Sequence, residues 1–200
     1  SGLSASLGFD YKKTKFNKDG TPGNDLISFG VGQVLSDQEN EDMPSSSSLD
    51  QRFSDVVGES KLHIGNKGVL SYNFAIDQNY KDLNFNEIDT DLFFGNTKFN
   101  MGYLERKNHR GNEESIKSAI DISVNDSTKL SFSTKRNLLT DSAEFYNLSY
   151  EYINDCLKAG IVFRREFYTD RDIEPNNSVM FTISILPFGG ISSPTFSKWK

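Results

Sequence analysis

Two hundred residues suit one domain or a piece of a larger one, but only 36% are apolar and the mean hydropathy is -0.54. The 16 Phe and 8 Tyr separate the chain from disordered segments, which are aromatic-poor, and the net charge of -6 argues against a nucleic-acid binder, which shows a basic face. No run reaches the roughly 18 apolar residues of a membrane helix, and one cysteine excludes an internal disulfide while allowing one to a partner segment.

The opening "SGLSASLGFDYKK" lacks the basic start and apolar core of a signal peptide, so the chain is expected to be mature or to continue upstream. From there the dominant pattern has period two, the mark of a strand with two different faces. Leu3, Ala5, Leu7, Phe9 and Tyr11 form the first apolar row, and Ile27, Phe29, Val31 and Leu35 the second. Val56, Leu62 and Ile64 follow, then Leu70, Tyr72, Phe74 and Ile76, then Ile88, Thr90, Leu92 and Phe94. Phe99, Met101 and Tyr103 precede Ile116, Ile120, Ile122 and Val124. Leu130 and Phe132 mark a weaker run before Tyr146, Leu148, Tyr150 and Tyr152. Leu157, Ala159, Ile161, Phe163 and Phe167 come next, and Val179, Phe181, Ile183 and Ile185 close the series. The pattern predicts about eleven strands and no helix.

Tight turns are expected at "GNKG" (65–68), "GNT" (95–97), "NDS" (125–127) and "NDC" (154–156), since Gly, Asn and Asp tolerate the positive φ of short hairpins. Longer links fall at 37–53, 107–115, 138–143 and 169–177, with a short one at 81–84. The link 13–24 is the exception, long yet on the short-turn side. All five prolines fall in loops or at strand ends.

Alternating turn lengths and an aromatic-rich apolar face point to an all-β, antiparallel, up-and-down transmembrane β-barrel. Period two alone leaves a soluble β-sandwich or β-solenoid open. Bacterial barrels usually have an even strand number and no free edge, so an odd count is read as the C-terminal part of a larger barrel (1–188) followed by a short periplasmic tail (189–200).

Catalytic and metal motifs are weak. His63 falls on a polar face and His109 in a loop, and neither has a ligand-type spacing. No GxSxG, P-loop or GxGxxG is present. No enzyme activity, metal or cofactor is expected. In "FRREFYTDRD" (163–172), Arg164, Arg165 and Arg171 are candidates for contact with anionic lipid headgroups; a solvated loop with local ion pairs reads equally well.

Three stretches resemble the family of the LPS-assembly protein LptD, also called organic solvent tolerance protein: "FSDVVGE" (53–59) after a long polar loop, "ISFGVGQVL" (27–35) before it, and above all "LSYEYINDCLKAGIVFRREFYTDRDIEPNNSVMFTISILPFGG" (148–190). The resemblance implies a large barrel in the cell outer membrane that inserts lipopolysaccharide into the outer leaflet. It also implies a plug lipoprotein of the LptE type and an N-terminal periplasmic domain, outside this chain, that receives lipid from a periplasmic Lpt bridge. The last strand, with Val179, Phe181, Ile183, Ile185 and Pro187, would flank a lateral seam through which the lipid leaves. Cys156 would form a disulfide to the periplasmic domain. Several members have two adjacent cysteines there, whereas this chain has Asp155 and Cys156, so at most one bridge can form. A general porin-like channel and a secreted β-sandwich binding module are the other readings.

Overall fold

The computed structural model describes residues 2–167, 176–185, 189–192 and 196–197. It is all-β. The sheet order is β1 (Ser4–Phe16), β2 (Pro22–Ser36), β3 (Val56–His63), β4 (Gly68–Ile76), β5 (Leu83–Phe94), β6 (Thr97–Arg106), β7 (Glu113–Asn125), β8 (Thr128–Asn137), β9 (Ser142–Ile153), β10 (Leu157–Glu166), β11 (Asn176–Ile185) and β12 (Gly189–Ser192). Short β13 (Phe196–Ser197) also pairs with β11. Every strand on this path bonds to its chain neighbours, the antiparallel up-and-down order that the alternation predicts. Helix among the described residues is limited to single 3-10 turns at Ser45–Ser47 and Asn108–Arg110.

The chain forms two compact units, Ser1–Asp91 with Gly102–Glu114, and Leu92–Met101 with Ser115–Lys200. In the first, register aligns side chains into rows of one character. Asp10 faces Gly30, Gly30 faces Glu59 and Glu59 faces Asn73, a polar row across β1 to β4. The adjacent row, on the opposite face, runs Phe9, Val31, Gly58 and Phe74. Within it the Phe74 ring lies over Gly58 and stacks on Tyr72 at 5.7 Å. A Cβ at position 58 would overlap that ring and come within 3.0 Å of the Gly30 carbonyl. Gly58→Ala is therefore expected to cost about 1–3 kcal/mol through overpacking, read as a lower unfolding midpoint; Phe74→Leu in the same chain should recover part of it.

The second unit repeats the division. Phe132 faces Leu148, Leu148 faces Phe163 and Phe163 faces Val179 on the apolar side. Ser131, Ser149, Val162 and Met180 form the next row on the other side, where Lys158 meets Glu151 at 2.9 Å and Lys135 meets Glu144 at 3.0 Å.

Burial runs opposite to that of a soluble domain. Among the described residues the buried hydrophobic side chain is Ala75, while the largest fully buried ones are Asn84, Asp55 and Ser48. Phe9, Ile183 and Phe181 are 59%, 55% and 45% exposed.

Two stretches differ from expectation. The link 13–24 contracts to a turn at residues 17–21, because β1 and β2 continue pairing as far as Phe16 and Pro22. Irregular register between Lys13, Thr14 and Phe16 breaks the period-two signal there, and Lys12–Asp25 (2.8 Å) and Thr14–Asp25 (2.8 Å) contacts hold the polar extension. In the turn, Asp19 accepts from the Thr21 hydroxyl and amide, which hold its carboxyl below the usual range. With this contraction, the exception to short turns on that side disappears. Likewise, part of the expected tail, 189–200, joins the sheet: Gly189 faces Ile185 and Ser192 faces Thr182. Backbone groups along the outer edge of β11 are satisfied by pairing, which draws these residues into the ladder.

Candidate functional site

The long β2–β3 connection, residues 37–55, does not stand free. Its C-terminal end carries Ser54 and Asp55, both buried. The Val34 amide donates to Ser54 Oγ at 2.9 Å and Gln33 Nε2 donates to the Ser54 carbonyl at 2.9 Å. The Asp55 amide donates to Ser48 Oγ at 2.8 Å, folding the loop back on itself. The Asp55 carboxylate, 1% exposed, draws in two other segments. Arg110 Nε and His109 Nε2 both lie 3.0 Å from Oδ2, and Asn84 Nδ2 donates to Oδ1 at 3.3 Å. Asn108 Nδ2 donates to Asn84 Oδ1 at 2.6 Å, and Arg110 also lies over the Phe85 ring. Opposite charge and shared hydrogen bonds are what let a carboxylate be buried. The network fastens the β2–β3 loop to the start of β5 and to the β6–β7 connection.

Between this loop and the polar face lies a cavity of about 750 Å³. Ser47, Ser48 and Leu49 line one side and Asp10, Glu59 and Asn73 the other. Asn73 Nδ2 donates to Glu87 at 3.0 Å, extending the polar row to β5. Nearby, Asp77 in the β4–β5 turn accepts from the Asn79 amide, which lowers its carboxyl below the ordinary value. At the β6–β7 end, the Glu105 carboxylate 2.6 Å away raises Lys107 above the usual ammonium value.

No local spacing gives His109 a partner, and Asp55 stands out in the sequence only through the resemblance of "FSDVVGE". The contacts join residues 54 and 55 positions apart, beyond any local spacing rule. The one available signal was a histidine and an arginine adjacent in a loop, with a Ser-Asp pair closing another.

Cys156 lies exposed in the β9–β10 turn with a free thiol. Asn154 supplies the turn: its Oδ1 accepts from the amides of Cys156 (3.0 Å) and Leu157 (2.7 Å). The side chain at 156 is left unused by the fold.

The three arginines separate. Arg164 is on the face of Gly160 and Glu166, paired with Glu166 at 2.7 Å and set over the Phe145 ring at 4.9 Å. Arg165 points to the apolar face, opposite Tyr146 on β9 and Asn177 on β11, with its guanidinium 4.9 Å from the Phe167 ring centre. Arg171 lies outside the described residues, as does Pro187. Val179, Phe181, Ile183 and Ile185 share the apolar face of β11. That strand's outer edge is taken by β12 and β13.

No protein-family model and no curated protein matches the chain. Among solved structures, an engineered variant of the Rhodopseudomonas blastica porin aligns with a TM-score of 0.50 at 9% identity, over 98% of this chain and 91% of that one. A second variant of the same porin aligns over the same shares with a TM-score of 0.45 at 10% identity. At that identity the first likeness is one of fold: this chain shares the up-and-down antiparallel architecture of a porin.

Proposed function

We propose that the chain is wall of an outer-membrane β-barrel, and that the barrel is a lipopolysaccharide translocon of the LptD type. The observation that carries the membrane reading is the inverted burial: polar side chains inside, Phe, Ile, Leu and Tyr outside. Lipid is the solvent that makes such a distribution stable, and charge on a lipid-facing row costs least near the rims. On β8 to β11 the charges of the apolar face are Arg136 and Arg165, both in the rows next to the β8–β9 and β10–β11 connections. In this reading the polar face lines the lumen, and the fastened β2–β3 loop narrows it.

Tight turns of such barrels face the periplasm. Cys156 then lies in an oxidising compartment, open to a partner thiol. That placement and the resemblance of 148–190 support the translocon reading, with lipopolysaccharide as cargo, a plug lipoprotein and a periplasmic Lpt bridge as partners, and no chemical step. The lateral seam would lie along β11, and opening it would require β12 and β13 to leave. A general porin-like channel is the second reading, favoured by the fold likeness.

The test has two stages. A barrel migrates faster on a gel before boiling than after; unchanged migration, together with solubility without detergent, would sink both membrane readings. On a non-reducing gel of the full protein, Cys156→Ser is expected to abolish a mobility shift. No shift in the wild type would remove the disulfide and leave the porin reading ahead.

A further inference from the structure

We infer that Arg165, with the aromatic rings around it, is a binding site for the phosphate group of an anionic lipid. It rests on the membrane-barrel part of the reading above, not on the translocon part.

Arg165 stands at the junction of two surfaces. Along β10 from it, on the same face, come Phe163 and Ile161, flanked by Leu148 and Tyr150 on β9 and by Val179 and Phe181 on β11. Of these, Phe163, Ile161, Leu148, Tyr150 and Phe181 are exposed and form an apolar belt. At the level of Arg165 the belt ends in rings: Tyr146 meets Phe167 edge-on at 5.5 Å and stacks near Phe132 at 6.4 Å. Tyrosine at such a level is the interfacial choice, apolar body inward and hydroxyl toward water.

The nearby cations are neutralised by carboxylates. Arg136, at the same end of the same face, is bound by Asp141 at 2.6 Å. Arg164 is bound by Glu166. No carboxylate pairs with Arg165 among the described residues; it has a ring beneath it instead. A guanidinium lying over a ring keeps its N–H edge free for oxygens, in the fork that suits phosphate. A charged group near the end of β10, above a strip of aliphatic and aromatic surface, matches one ligand shape: an anionic head with acyl chains lying along the strands.

The experiment uses the full protein in detergent micelles and native mass spectrometry with three probes: phosphatidylglycerol, diacylglycerol without phosphate, and inorganic phosphate. Phosphatidylglycerol should bind Arg165→Gln about tenfold more weakly than wild type, the loss of one charge-assisted hydrogen bond. Diacylglycerol should be indifferent to the substitution, and Arg136→Gln should bind as wild type does. Arg165→Lys, which keeps the charge and loses the fork, should fall between. Wild-type binding by Arg165→Gln overturns the site. So does an equal drop in Arg136→Gln, which would mean diffuse charge attraction, or displacement by inorganic phosphate at equal concentration, which would mean a free-anion site. Should Arg165→Gln lose its heat-modifiable band, Arg165→Lys decides alone. A wild type without that band would instead sink the membrane reading.

Discussion

Replacing Asp55 by alanine is expected to release the β2–β3 loop and to cost about 3–5 kcal/mol, the usual loss when one partner of a buried ion pair is removed. The carboxylate is 1% exposed, and the side chains of Arg110 and His109 are only 23% and 18% exposed. Deleting it leaves the guanidinium partly buried without its counter-charge, and leaves Asn84 Nδ2 without its acceptor. The Asp55 amide bond to Ser48 Oγ survives in principle, but the charged link from that turn to His109 and Arg110 is gone. The effect should therefore be local before it is global. Limited proteolysis should cut within residues 37–53 in Asp55→Ala while the sheet keeps its heat-modifiable migration. Asp55→Asn keeps one acceptor oxygen and should be milder. A loop in Asp55→Ala as resistant as in wild type would mean that packing, not the charge network, holds it.

The second large effect concerns a pair of neighbouring positions. Ile161 faces Tyr150 and Phe181 on the apolar side and is 44% exposed. Val162, one residue on, faces Ser149 and Met180 on the other side. Arginine at 161 should cost about 2–4 kcal/mol in a bilayer, the midplane value for a lipid-facing charge. At 162 it should cost little, because the side chain lies on the opposite, polar face. Urea titration of protein folded into phospholipid vesicles reads both. In a water-soluble protein an exposed Ile161 would accept arginine without penalty, so equal midpoints for the two variants would reject the bilayer as solvent.

Much of the fold was legible because period two repeats in most long strands, and one face of those is rich in Phe, Tyr, Ile and Leu. The signal failed where that repeat is interrupted. Around Lys13 and Thr14 the register slips, and the polar row continues past the apolar one, so pairing extends beyond the alternating stretch. At 189–192, four residues with two glycines are too short for any periodicity. The buried network was illegible for a different reason. Its members lie on separate loops, and each reads by itself as ordinary solvated polarity; only folding brings Asp55, Asn84, His109 and Arg110 to one point. Arg164 and Arg165 show the reverse: parity alone assigns them to opposite faces, and the structure adds the rings and the carboxylate that give each its environment.

The turn at Asn154 has a consequence for how this hairpin can change over time. Its hydrogen bonds run from two backbone amides to the Asn154 side-chain oxygen and from the Asn154 amide to the Leu157 carbonyl, with none described from the side chain at 156. Mutation at position 156 is thus nearly silent for folding. The group that this turn presents can be acquired, lost or traded for another on functional grounds alone, without first re-engineering the hairpin that carries it.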